Sequence, residues 1–75
     1  MFRFGVPRLE RVTLGLYDTQ GRRVRRLLDA EVAPGEHAVV WDGRDEAGRI
    51  VASAVYFSRL ECDGMARVAE VVEVK

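Results

Sequence analysis

The stretch from Trp41 to Leu60, WDGRDEAGRIVASAVYFSRL, constrains the fold more than any other part of the chain. An apolar run ends in the indole of Trp41. Seven residues rich in Asp, Gly and Arg follow, and the chain returns through Val55-Tyr56-Phe57. β-Branched and aromatic side chains suit a pleated, half-buried surface, and Asp-Gly is turn chemistry. The stretch therefore reads as strand, turn, strand, with the acidic loop between as the place to look for chemistry.

The same grammar runs through the rest of the chain. Phe2, Phe4 and Val6 alternate with Arg3 and Gly5, a half-buried strand that Pro7 stops or marks as an edge. Val12, Leu14 and Leu16 alternate with Thr13, Gly15 and Tyr17, and Gly15 inside that strand suggests a bulge or a close backbone approach. Asp18-Thr19-Gln20-Gly21 reads as a tight turn. Arg22 to Leu28 then returns as the hairpin's second strand, its broken alternation leaving a helical turn as the alternative. Asp29 to Ala33 reads as a connection and Pro34-Gly35 as a turn. His37, Val39 and Trp41 share one face of the next strand. Ile50 and Val51 suggest a brief strand. Val55 to Cys62 is apolar on both faces except at Ser58, Arg59 and Glu61, which marks a central strand. Asp63-Gly64 is hairpin chemistry. Met65 to Val74 closes the chain, with Ala66, Val68, Val72 and Val74 on one face and Arg67, Val71 and Glu73 on the other. About six or seven short strands, spaced roughly 8–12 residues apart with no helical pattern, predict a small antiparallel Ig-like β-sandwich.

Composition narrows the function classes. With 75 residues the chain is one domain, 1–75. Twelve basic and twelve acidic side chains leave no basic excess to hold nucleic acid or an anionic lipid surface. No run of about 18 apolar residues exists, so no membrane insertion is expected. The single cysteine, Cys62, excludes an intrachain disulfide, so packing or a neighbour must hold so short a chain together. The opening residues lack the apolar centre of a signal peptide, so export would need a signal elsewhere.

Few residues are candidates for chemistry. Asp42, Asp45 and Glu46, with Gly43 and Gly48, could offer carboxylate oxygens to calcium, but their spacing does not match a helical calcium loop. Capping of backbone amides within turns is the favoured role for them. His37 is the only histidine, and neither Ser53 nor Cys62 carries a nucleophile signature. Arg22, Arg23, Arg25 and Arg26 form the one basic cluster, without the aromatic interleaving of a single-strand binder. The expectation is a protein that is not an enzyme, has no catalytic residues and takes no cofactor.

Taken in order, Tyr17-Asp18 with Gly21-Arg22 and Val24, Pro34-Gly35 with His37, Trp41-Asp42-Gly43-Arg44-Asp45 with Gly48, and Val55-Tyr56-Phe57 with Arg59-Leu60 carry a resemblance. The chain resembles the Ig-like domain of the flagellar hook-capping protein and, more closely, the C-terminal sorting domains of type IX secretion. The resemblance implies a structural signature at Tyr17, Asp18, Gly21, Gly35, His37, Trp41, Asp42, Gly43, Asp45, Gly48, Tyr56 and Leu60. It makes Trp41 to Leu60 the centre of the core, with Trp41 packing near Tyr56. It also implies a non-enzymatic module of an exported bacterial protein, at the cell surface or outside the cell. The sorting version is recognised by an outer-membrane translocon; the flagellar version is part of a cap on which hook subunits assemble. The implied partners are proteins: secretion machinery, a parent protein, or a second copy through an edge strand. The chain departs from the family in three places. It lacks the usual opening strand before Phe2, has Ala54 where glycine is common, and ends with Glu70 and Glu73 where sorting domains tend to be basic. A sandwich short of one strand leaves an edge unpaired, which invites pairing with another chain.

Overall fold

A computed structural model describes residues 1–62 and 64–73. Asp63, expected in the last hairpin turn, and Val74, expected in the closing strand, lie outside the described residues. Six strands follow one another with no helix among the described residues: β1 (Phe2–Val6), β2 (Glu10–Tyr17), β3 (Arg23–Val32), β4 (Gly35–Val39), β5 (Ala54–Cys62) and β6 (Met65–Glu73). They form two antiparallel sheets, one of four strands in the order β3-β2-β5-β6 and one of two, β1-β4. The molecule is thus the all-β sandwich that the alternation predicts, with a small sheet packed on a larger one.

The core sits on β2. Val12, Leu14 and Leu16, every second residue of an eight-residue strand, are almost completely buried. Phe4 and Val6 cover them from β1, and β5 adds Tyr56 and Ser58. Leu28, Val32, Val39, Leu60 and Cys62 close around this cluster. This corrects the placing of the core's centre within Trp41 to Leu60. β2 is hydrogen-bonded on both edges and roofed by β1, whereas Trp41 lies beyond the end of β4 and is only half-buried.

A second correction concerns the strand–turn–strand reading of the same stretch. β4 and β5 do not pair: β4 joins β1, and β5 lies between β2 and β6. Residues 40–53 cross from one sheet to the other. Ile50 contributes an isolated bridge to Arg44 rather than a strand. β5 is central in its sheet, as its two apolar faces predict.

β3 explains its own broken pattern. Its ten residues face eight of β2, and the register slips at Leu14/Gly15 and again at Leu16/Tyr17. Leu27 and Val24 are the unpaired extras, so a period of two cannot persist through them. The segment expected as a connection, Asp29 to Ala33, is strand as far as Val32, because Glu10 to Thr13 pair with it directly. Gly15 lies at the first slip. A Cβ there would come within 3.1 Å of the Tyr17 ring, so the missing side chain makes room for the aromatic. Ala54, the departure from the family glycine, is exposed at the first residue of β5, where its Cβ is accommodated.

Candidate functional site

The acidic loop is built from turn chemistry repeated elsewhere in the chain. Asp18-Thr19-Gln20-Gly21-Arg22 and Asp45-Glu46-Ala47-Gly48-Arg49 share the pattern D-x-x-G-R, and their geometry is the same. In the first, Oδ1 of Asp18 accepts from the amides of Gln20 and Arg22, both at 2.9 Å, and Oδ2 accepts from the Arg22 guanidinium at 3.0 Å. In the second, Oδ1 of Asp45 accepts from the amides of Ala47 and Arg49 at 2.9 and 3.0 Å, and Oδ2 accepts from the Arg49 guanidinium at 3.2 Å. Each glycine amide donates back to its aspartate carbonyl at 3.0 Å. Gly21 and Gly48 both take φ +81°, where a Cβ is penalised. The amides of Arg22 and Arg49, before any other cause, hold the Asp18 and Asp45 carboxyls below the ordinary aspartate range. The two turns border one shallow depression together with Val24, Val51 and Tyr56. Their likeness was visible in the sequence as the repeated five-residue spacing, and sequence reasoning took the two turns separately.

The other loop carboxylates are engaged in the same way. Oδ1 of Asp42 accepts from the Arg44 amide at 3.0 Å and from the Arg25 guanidinium at 3.1 Å. Glu46 accepts from the Arg26 amide, while its own amide donates to the Val24 carbonyl at 3.1 Å. Asp42, Asp45 and Glu46 thus point to separate partners. Among the described residues no group of three or more His, Cys, Asp or Glu could hold a metal ion. Arg25 pairs directly with Leu16, just before the second register slip, and opposing residues share a face. From the core side it also donates to the Arg44 carbonyl at 3.1 Å, which pins the crossing segment.

The rings of the signature pack and hydrogen-bond locally. Trp41 meets Tyr56 edge-on with centroids 5.5 Å apart, as the resemblance implies, and its indole N–H donates to the Arg44 carbonyl at 2.9 Å. The Tyr56 hydroxyl donates to the Ala52 carbonyl at 2.7 Å, a corner device common in β-sandwiches. His37 stacks on Phe4 at 5.4 Å, with Nε2 2.7 Å from the Ala33 carbonyl. Gly35 opens β4 at φ +122°, Gly43 turns at φ +76° with its carbonyl accepting from the Val51 amide, and Leu60 packs on the core cluster. Within the basic cluster, Arg22, Arg25 and Arg26 pair with Asp18, Asp42 and Asp29. The half-buried Cys62 thiol donates to the Glu10 carboxylate at 2.8 Å.

Residues 7–61 match the model of the FlgD Ig-like domain. The chain belongs to the FlgD Ig-like domain family. No curated protein matches it, and no solved structure does. The FlgD Ig-like match supports the flagellar half of the resemblance; nothing in the comparisons supports the type IX half. The matched FlgD Ig-like segment runs from β2 nearly to the end of β5 and holds both D-x-x-G-R turns. β1 and β6 flank it, and between them lies a groove of about 480 Å³ whose floor is the inner face of β5 and β6. Sequence reasoning did not foresee the groove.

Proposed function

We propose that this domain is a structural assembly module of hook-cap type, a non-enzymatic sandwich of an exported protein that acts by holding its shape against other protein subunits. One observation carries the reading beyond the family match. Apart from Tyr17, whose ring lies against Gly15, the polar signature side chains Asp18, His37, Trp41, Asp42, Asp45 and Tyr56 each reach a backbone group of this chain within four residues. A catalytic group needs an atom turned toward substrate. Here the conspicuous polar groups rigidify turns, which suits a scaffold. The sorting reading draws on residue resemblance alone and is the weaker of the two.

The test is a chimera. Residues 1–75 replace the Ig-like domain of a hook-capping protein in a strain lacking that protein. Hooks should assemble above the level supported by the same protein with its Ig-like domain deleted. A chimera that is exported yet gives hooks no better than the deletion overturns the reading.

A further inference from the structure

β6 is held along one edge by β5, its one neighbour among the described residues. Residues Met65 to Glu70 are exposed without interruption, on both faces of the strand, whereas β2 buries Val12, Leu14 and Leu16 in alternation. The register on β5 assigns the faces. Ala69 and Val71 oppose the buried Ser58 and Tyr56, so Met65, Arg67, Ala69 and Val71 form the inner row. Ala66, Val68 and Glu70 form the outer row, opposite Glu61, Arg59 and Phe57. Two large apolar side chains, Met65 and Val68, thus stand in water beside a row of backbone N–H and C=O groups. A second strand matches such a row group for group.

We propose that β6 pairs with β6 of a second copy, antiparallel and with Val68 on the two-fold axis, joining the large sheets of both copies edge to edge. The axis of such a pair stands perpendicular to the sheet. Each residue therefore keeps its face, and one residue meets its own copy. The side chains decide which residue that is. Arg67 on the axis would oppose Arg67, and Glu70 would oppose Glu70, and like charges directly opposed are unfavourable. Ala69 on the axis would set each Val68 against a Glu70. An axis nearer either end shortens the ladder. With Val68 on the axis, Val68 meets Val68 and Met65 meets Val71. Arg67 then opposes Ala69 and Glu70 opposes Ala66, so each charge faces a small side chain and keeps its way to water. The strand is complementary to itself in this register, which is why the occupant is a second copy. A formal net charge of zero sets no long-range repulsion between copies. The two Arg67 side chains fall on a diagonal across the axis, about 7–8 Å apart, so salt should favour the pair. The inference does not depend on the hook-cap reading.

The test uses the 75-residue protein as it is. One strand pair is a small interface, so association is read by sedimentation equilibrium up to about 1 mM protein. The average mass should rise with concentration toward the dimer. Over the same range, β6 amides that β5 leaves free should gain protection from exchange. Arg67→Gln should tighten the dimer about two- to fivefold at low salt, with the gain shrinking as salt is added. Val68→Lys and Val68→Glu each put like charges on the axis and should weaken association about tenfold. An equimolar mixture of these two variants should associate more tightly than either alone, because lysine then faces glutamate across the axis. Circular dichroism should show all three variants folded. Protein that stays monomeric throughout the range overturns the proposal. So does association that protects β1 or β3 amides and leaves β6 unprotected. A mixture of folded Val68→Lys and Val68→Glu that recovers no association overturns it as well, since rescue requires residue 68 to face its own copy.

Discussion

The two edges of the four-stranded sheet end in opposite ways. At β3 a single loop residue stands in for a neighbouring strand. The Glu46 amide donates to the Val24 carbonyl, and the Glu46 carboxylate accepts from the Arg26 amide, a donor and an acceptor placed as a strand ladder would place them. Arg25 adds a clasp to Asp42. At β6 the sheet has one neighbour, β5, among the described residues, with Met65 and Val68 70% and 64% exposed. An open strand edge is a template for pairing, and proteins blunt edges with loops, bulges and charges. This domain has bulges and a loop at β3. The protected edge lies inside the family-matched segment, and the open one lies outside it. In this domain rigidity and availability are separate places, and the difference can be tested from either side.

The largest effect should come from the strand that both edges share. Leu16 is fully buried on β2, and Leu16→Ala should cost about 3–5 kcal/mol, comparable with the whole stability of a small domain. Val68→Ala on β6 should change stability by less than about 0.5 kcal/mol. Urea denaturation of both variants checks the contrast. Similar losses at the two positions would mean that β6 is as well supported as β2, and the asymmetry would be wrong.

Next in size is the loop that closes β3. Glu46→Ala removes the side-chain half of the stand-in strand and leaves the Arg26 amide without its partner, at a cost of about 1 kcal/mol. The more telling readout is association. Light scattering at high concentration should rise in this variant, because a second edge has been opened. Unchanged scattering would show that the Glu46 carboxylate does not guard the edge.

How far all this was legible depends on which physical signal each element leaves. β2 was clear because it faces core on one side only, so Val12, Leu14 and Leu16 alternate cleanly. β3 was not, because Val24 and Leu27 are extra residues at register slips, and each slip resets the alternation. The Asp-Gly signal after Trp41 marked a change of direction correctly. It carried no information about which sheet the next strand would join, since that depends on pairing between residues distant in sequence. Asp18 and Asp45 were legible as turn residues, and their shared pattern lay in plain view. The groove leaves no local signal, because it arises from what the small sheet fails to cover.

The twin turns predict how acid should act on the closed side. Their carboxyl pKa values are lowered in the folded state, first by the Arg22 and Arg49 amides. The unfolded chain therefore binds more protons as pH falls. The stabilisation is fully present above the ordinary aspartate value of about 3.9 and is lost as pH drops through the lower folded values. Asp18→Asn and Asp45→Asn should flatten the fall of melting temperature below about pH 4, and the double variant should flatten it further. Amide exchange at acid pH should speed up first at residues 18–22 and 45–49. A melting profile that stays equally steep in the double variant would place the acid sensitivity elsewhere.

The smallest predicted effect bears most directly on the open edge. Val68 points to the outer face of β6 and is 64% exposed, so its burial contributes little to the fold. Lysine on an exposed edge strand adds charge and bulk where another strand would have to approach. Val68→Lys should therefore leave stability within about 0.5 kcal/mol of the parent while reducing concentration-dependent association, the reverse of Glu46→Ala. The pair separates two meanings of an edge. If Glu46→Ala raises association and Val68→Lys lowers it, the protein's tendency to pair is set by its edges and runs mainly through β6 in the parent. If Val68→Lys costs more than about 1 kcal/mol, the outer face of β6 is covered in solution, and β6 is not the free end of the sheet. If association is unchanged while stability holds, pairing runs through β1, the edge beside the groove.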